Sequence, residues 1–203
     1  MRSISPLIIM FCIHIVAKAD NSTTNAFKLI DSTDINDKKK INKIKDDIII
    51  IDKTNKRYQK MAKKILGHSS EGGIIIFYYD KKIAKKIVFN VCGEMGRCID
   101  KYYLNDNQTL MAIKSEDIDY DRPFYIKGFE IKLKELRTYY FIDEIPVYIV
   151  DKNSPNFTKD TDQLIKYLEE HIYPLHEIIE MFNNPEAEIL PNEEIPAELL
   201  QND

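Results

Sequence analysis

Four histidines, six glycines, three cysteines and no tryptophan make up a thin supply of special chemistry for a chain of 203 residues. Each shortage excludes something. The close histidine pair, His171 and His176, is five apart with Pro174 between, whereas a zinc-protease helix needs an interval of four with a glutamate directly after the first histidine. His68 stands alone, so no metal site is expected and none of the residues points to a cofactor. Glycine is too sparse in Gly93-Glu94-Met95-Gly96 for a phosphate cradle, and Ser69-Ser70 before Glu71-Gly72-Gly73 lacks a nucleophile elbow. Cys92 and Cys98 do not form a Cys-x-x-Cys redox pair. The longest early apolar run, Leu7 to Val16, has about half the length a membrane span requires.

What that run does fit is export. A basic start at Arg2, the apolar core, and Ala17-Lys18-Ala19 before Asp20 have the three zones of a secretory signal peptide, with cleavage expected after Ala19. Residues 1–19 are therefore read as a signal, and the destination as periplasmic or secreted. Cys12 leaves with it. Cys92 and Cys98 then lie in a compartment where disulfides persist, and a bridge closing the base of a hairpin is expected, with two free thiols as the alternative. The formal net charge of −4 becomes −6 once Arg2 and Lys18 are removed, which disfavours nucleic-acid binding. No stable membrane span is expected after cleavage.

A polar stretch at 20–35 reads as a flexible linker, 36–182 as one α+β domain, and 183–203, acidic with three prolines, as a flexible tail. From Asn36 to Leu66 the positions Ile41, Ile44, Ile48, Ile51, Tyr58, Ala62 and Ile65 follow helical spacing, and Gly67 suits a C-cap. The β-branched run Ile48 to Ile51 leaves a strand or a break open there. Three Tyr-Tyr units follow, each leading through Asp or Asn into an apolar segment: Tyr78-Tyr79, Tyr102-Tyr103 and Tyr139-Tyr140. Each reads as a hairpin, and together they predict an antiparallel meander of about six strands. Glu116 to Gly128 reads as an excursion. Asp160 to Phe182 returns to helical spacing, with Asp160 and Gln163 as a capping box and a kink expected at Pro174. The fold expected is two-layer α+β, an antiparallel meander with an N-terminal and a C-terminal helix packed on it.

Function is less legible. Successive strand residues face opposite ways, so one tyrosine of each dyad is expected outward, giving an aromatic surface for a partner from Tyr78, Tyr79, Tyr102, Tyr103, Tyr139 and Tyr140. Sheet packing explains the same residues. Asp37 to Lys64 holds 11 basic against 4 acidic residues, while Asp160 to Asp203 holds 1 against 12. The two regions are expected to neighbour one another and cancel, with attraction of the basic helix to an anionic surface as the alternative. Three Asn-x-Thr/Ser sites, beginning at Asn21, Asn107 and Asn156, matter only in a eukaryotic host.

The succession Glu71-Gly72-Gly73, Tyr78-Tyr79, Gly93-Glu94-Met95-Gly96, Lys101-Tyr102-Tyr103 and Arg137-Thr138-Tyr139-Tyr140-Phe141 resembles a diffuse group of small exported bacterial proteins of unknown function. The resemblance covers about residues 65 to 180, implies a hairpin meander with a C-terminal helix in the bacterial envelope, and carries no catalytic residues. The leading expectation is a non-enzymatic exported module that binds a protein or envelope component. A small envelope hydrolase using acidic residues with His171 or His176 is the alternative. A third reading is an exported inhibitor or host-directed factor whose Cys92 to Cys98 loop, with Glu94, Met95 and Arg97, inserts into a target.

Overall fold

The computed structural model of the protein describes residues 35–65, 71–143, 145–151, 168, 175–183 and 189–190. Residues 1–19, the linker up to residue 34, His68, Ser69, Ser70, His171 and Pro174 lie outside the described residues.

Helix α1 (Ile35–Thr54) forms on the isoleucine stripe, burying Ile41, Ile48 and Ile51. The break comes earlier than Gly67. Thr54 turns its hydroxyl back onto the Ile50 carbonyl at 2.7 Å, a single turn of 3-10 helix (Asn55–Arg57) follows, and Tyr58 is extended. From there strand β1 (Gln59–Ile65) runs where helix was expected. Tertiary pairing overrides the spacing: every residue of β1 pairs with β2 (Gly73–Asp80), from Gln59 opposite Tyr79 to Ile65 opposite Gly73. The Ile48 to Ile51 run stays helical because Ile48 and Ile51, its first and last members, reach the sheet while Ile49 and Ile50 face solvent.

The three dyads lie in the expected hairpins. Strands β2 and β3 (Ile83–Gly93), β4 (Gly96–Leu104) and β5 (Leu110–Tyr120), and β6 (Ile131–Ile142) and β7 (Ile145–Asp151) are consecutive antiparallel neighbours. These six strands are the meander that was expected. Two more extend it past β2, for the order is β7-β6-β5-β4-β3-β2-β1-β8, where β8 (Ile189–Leu190) pairs with Ala62 and Lys63 of β1. Part of the expected flexible tail is thus a strand. Helix α2 (Leu175–Asn183) is the described portion of the C-terminal helix.

The helices cover opposite faces, so the domain has three layers rather than two. Ile178 of α2 packs with Phe77, Tyr102, Ile113 and Tyr139, while α1 packs with Tyr103, Ala112 and Tyr140, the alternate residues of the same strands, and with Met111 at a register shift in β5. Lys63, buried on β1, crosses to the end of α2 and donates to the Met181 and Phe182 carbonyls, a cation at a helix C-terminus. Because α2 lies across the sheet from α1, this part of the acidic C-terminal region does not neutralise the basic helix. The anion that meets the sheet lysines is Asp52 of α1 itself, 2.7 Å from Lys86 and 3.2 Å from Lys114, with the Tyr103 hydroxyl donating to it at 3.1 Å.

Candidate functional site

Three layers bury the tyrosines from both sides. Tyr78, Tyr102, Tyr103, Tyr139 and Tyr140 are all buried, and Tyr79 is half-buried with its ring edge-on to Phe182 at 5.5 Å. They form no outward aromatic surface. A second covered face converts the residue expected to look outward into core.

The expected disulfide is also absent: Cys92 and Cys98 are free thiols. The hairpin register explains it. Cys92 pairs with Arg97 and Cys98 pairs with Val91, which places the two side chains on opposite faces of the sheet. Cys92 sits with Asn90, whose amide donates to its sulfur at 3.8 Å, and Cys98 points to the α2 face.

On that face, polar residues occupy core positions toward the end of the sheet away from α2. Successive rows run Phe89, Asp100, Ser115, Arg137, then Val91, Cys98, Asp117, Glu135, then Gly93, Gly96, Asp119, Leu133. A cavity of about 480 Å³, open to solvent, is bordered by the last two rows and Arg137, with Gly93 and Gly96 at its floor and Arg97 and Ile118 also lining it. Gly96 keeps that floor low: a Cβ there would stand 2.3 Å from the Ile118 carbonyl oxygen. Arg137 is buried and is held from both sides, its Nη1 3.2 Å from Asp117 and its Nη2 on Glu135. On this face the Arg137 guanidinium therefore stands against three carboxylates that border the cavity, Asp117, Glu135 and Asp119. The third, Asp119, is exposed and has no ion-pair or hydrogen-bond partner among the described residues.

Behind the cavity Asp100 is 1% exposed. Burial pushes its carboxyl up to about 7, with the Asp117 charge adding to the shift and Ser115 and Cys98 opposing it. Burial also pushes the Cys98 thiol up, and the Asp100 and Asp117 charges push it further, so the sulfur is held as a thiol and not as a nucleophilic thiolate. Among the described residues no group of His, Cys, Asp and Glu has the arrangement to hold a metal ion. Among the described residues no histidine borders the cavity. His176 is an exposed residue of α2, 3.9 Å from its neighbour Glu177.

Beside the cavity lies the feature that the strand pattern did not reveal. Seven large apolar side chains are exposed together at this end: Met95 at the β3–β4 turn, Phe124, Tyr125, Ile126 and Phe129 in the excursion, and Ile131 and Leu133 at the start of β6. The excursion is an ordered loop. Asp121 and Glu130 close its neck, where the Asp121 amide donates to the Glu130 carbonyl at 3.0 Å and the Asp121 carboxylate accepts the Glu130 amide at 2.8 Å. Turns at Pro123 to Ile126 and Ile126 to Phe129 fold it, the second with Gly128 in the left-handed region, φ 81°. Two amides pin it to the neighbouring hairpin, Tyr120 onto the Met95 carbonyl at 2.8 Å and Phe124 onto the Glu94 carbonyl at 2.9 Å. The Cys92 to Cys98 turn is accordingly one half of a two-loop platform. The available signal was the run Phe124-Tyr125-Ile126 between Pro123 and Gly128, aromatic in a place where turn residues are the rule.

Among the described residues no helix is long and apolar enough to cross a membrane. No family model, no curated protein and no solved structure matches this chain.

Proposed function

We propose that the chain is an exported, non-enzymatic interaction module that binds a protein or envelope component through the end of its sheet bearing Met95, the 121–130 loop and the adjoining cavity. The observation that carries this reading is the clustering at one end of seven of the nine large apolar side chains exposed among the described residues. Patches of that kind on a folded domain mark sites of association. The loop's closed neck and its hydrogen bonds to the hairpin support the same reading, because a surface ordered before binding loses little entropy on contact. Export to the periplasm or medium belongs to the proposal and rests on residues 1–19.

A hydrolase built on acidic residues with His171 or His176 has less support. His176 is not among the residues that line the cavity, and Arg137 already occupies two of its carboxylates. The inhibitor reading keeps Glu94 and Met95 at the contact, with the 121–130 loop rather than Cys98 as their companion.

The test is recovery of a partner from an envelope extract of the host, comparing the chain as exported with its Phe124→Ser/Phe129→Ser double variant. The partner is expected to be lost with the variant while cooperative thermal unfolding is retained, at a modestly lower midpoint because the Phe129 ring packs on Tyr120. Equal recovery by both proteins would place the contact elsewhere and end this reading.

A further inference from the structure

The chemistry of the partner can be argued from the charge beside the apolar patch, an inference that rests on the binding reading above. We propose that this end of the sheet docks a protein segment carrying a lysine or arginine between apolar residues. Its cationic group enters the cavity toward Asp119, and its apolar neighbours lie on Phe124, Phe129 and Leu133.

Three observations converge on this chemistry. Asp117, Asp119 and Glu135 share the α2 face in adjacent positions of β5 and β6, and the one guanidinium among them, Arg137, has both terminal nitrogens turned to Asp117 and Glu135. Even with Arg97, which also lines the cavity, the three carboxylates outnumber the two guanidinium groups, and Asp119 faces solvent without a counter-charge among the described residues. Lys134, the nearest lysine in regular register with this row, does not correct this, for it stands on the other face and meets Glu116 at 2.7 Å. Finally, the floor is glycine at Gly93 and Gly96, which leaves depth for a long side chain whose methylenes pass Val91 and Leu133.

The same layout argues against an anionic lipid surface. Carboxylates lie amid the apolar residues that would have to insert, and both desolvation and like charge oppose that contact. A phosphorylated or acidic peptide meets the same repulsion.

The experiment measures fluorescence anisotropy of the full chain with three short peptides, identical except for a central lysine, norleucine or glutamate between leucine and phenylalanine. The lysine peptide is expected to bind about tenfold more tightly than the norleucine peptide, with glutamate weakest, and that advantage should shrink as salt is raised. Asp119→Asn should remove most of the lysine advantage and leave norleucine affinity unchanged. Phe124→Ser/Phe129→Ser should weaken all three peptides alike, and circular dichroism melts establish that both variants are folded. If the three peptides bind equally and all are lost with the double variant, the apolar binding site stands and its charge preference is overturned. Flotation with phosphatidylglycerol vesicles in the absence of peptide binding would overturn it in favour of a membrane. Failure of every probe, with no effect of the double variant on partner recovery, would overturn this inference and the binding reading together.

Discussion

Asp100 shows how much a single position can cost a fold. Its carboxyl titrates at about 7 in the folded protein, raised by burial, against an ordinary value of 3.8 in the unfolded chain. Between those values the folded protein keeps a proton that the unfolded chain has released, so stability falls as pH rises through the window and levels off above it. The slope is about 1.4 kcal/mol per pH unit for one group. Urea unfolding midpoints should therefore decline from pH 5 to pH 7.5, and Asp100→Asn should flatten that decline and be the more stable protein at pH 8. Identical pH profiles for the two would show that the carboxyl is not desolvated. Its neighbour Cys98 offers a second reading of the same pocket. Burial and two carboxylates hold it as a thiol, so at pH 8 it should be alkylated slower by about tenfold or more in the folded protein than in urea. Mass spectrometry without reductant should count both Cys92 and Cys98 as free; a bridged pair would contradict the register that separates them.

At the scale of elements, the β2–β3 turn carries strain that its residues do not suit. Lys81 and Lys82 both sit in the left-handed region, φ 48° and 69°, as a two-residue hairpin with Asp80 opposite Ile83 requires. Lysine has a Cβ that opposes this conformation, whereas Asn-Gly accepts it. Lys81→Asn/Lys82→Gly should raise stability by about 1–2 kcal/mol, read as a higher melting temperature. A loss of stability would mean that the lysines contribute contacts of their own. Docking of α1 is governed by Asp52. Burial raises its carboxyl, but the hydrogen bonds and charges of Lys86 and Lys114 outweigh burial and hold it below the ordinary carboxylate value. That stabilisation is present above pH 4 and is lost as pH falls through the lowered folded value. Asp52→Asn strands Lys86, whose side chain is 6% exposed, and should cost about 2–4 kcal/mol in urea unfolding at pH 7. Asp52→Leu combined with Lys86→Met should cost less than Asp52→Asn alone, because no buried charge is left unpaired. A double variant worse than the single would show that the pair is worth more than the apolar contact replacing it.

At the scale of the whole sheet, with a helix on each face, seven of the nine large apolar side chains exposed among the described residues gather at one end. An environment-sensitive hydrophobic dye should bind the folded protein at pH 7, and Phe124→Ser/Phe129→Ser should reduce its fluorescence severalfold while the protein stays folded. Unchanged dye binding would locate the exposed apolar surface elsewhere.

Local signals in the chain were sufficient for the hairpins, because tyrosine and aliphatic runs separated by Asp, Asn or Lys turns need only neighbouring residues to pair. The same holds for the isoleucine stripe of α1 and the helical character of Leu175 to Phe182. What required the tertiary structure was everything decided between distant segments. The 36–66 stripe is divided at Thr54 because β2 offers its edge to Gln59–Ile65, a partner that helical spacing cannot anticipate. The tyrosines became core, not surface, because the helices chose opposite faces of the sheet. Cys92 and Cys98 have five residues between them in the chain, yet a shift of one position in register decides whether they can meet. The candidate site is the clearest case. Asp117, Asp119, Glu135 and Arg137 read as ordinary surface charges along the chain, and only the pairing of β4, β5 and β6 gathers them on one face beside the 121–130 loop. Secondary structure follows from periodicity along the chain, whereas a site follows from which faces remain uncovered once all the layers have packed.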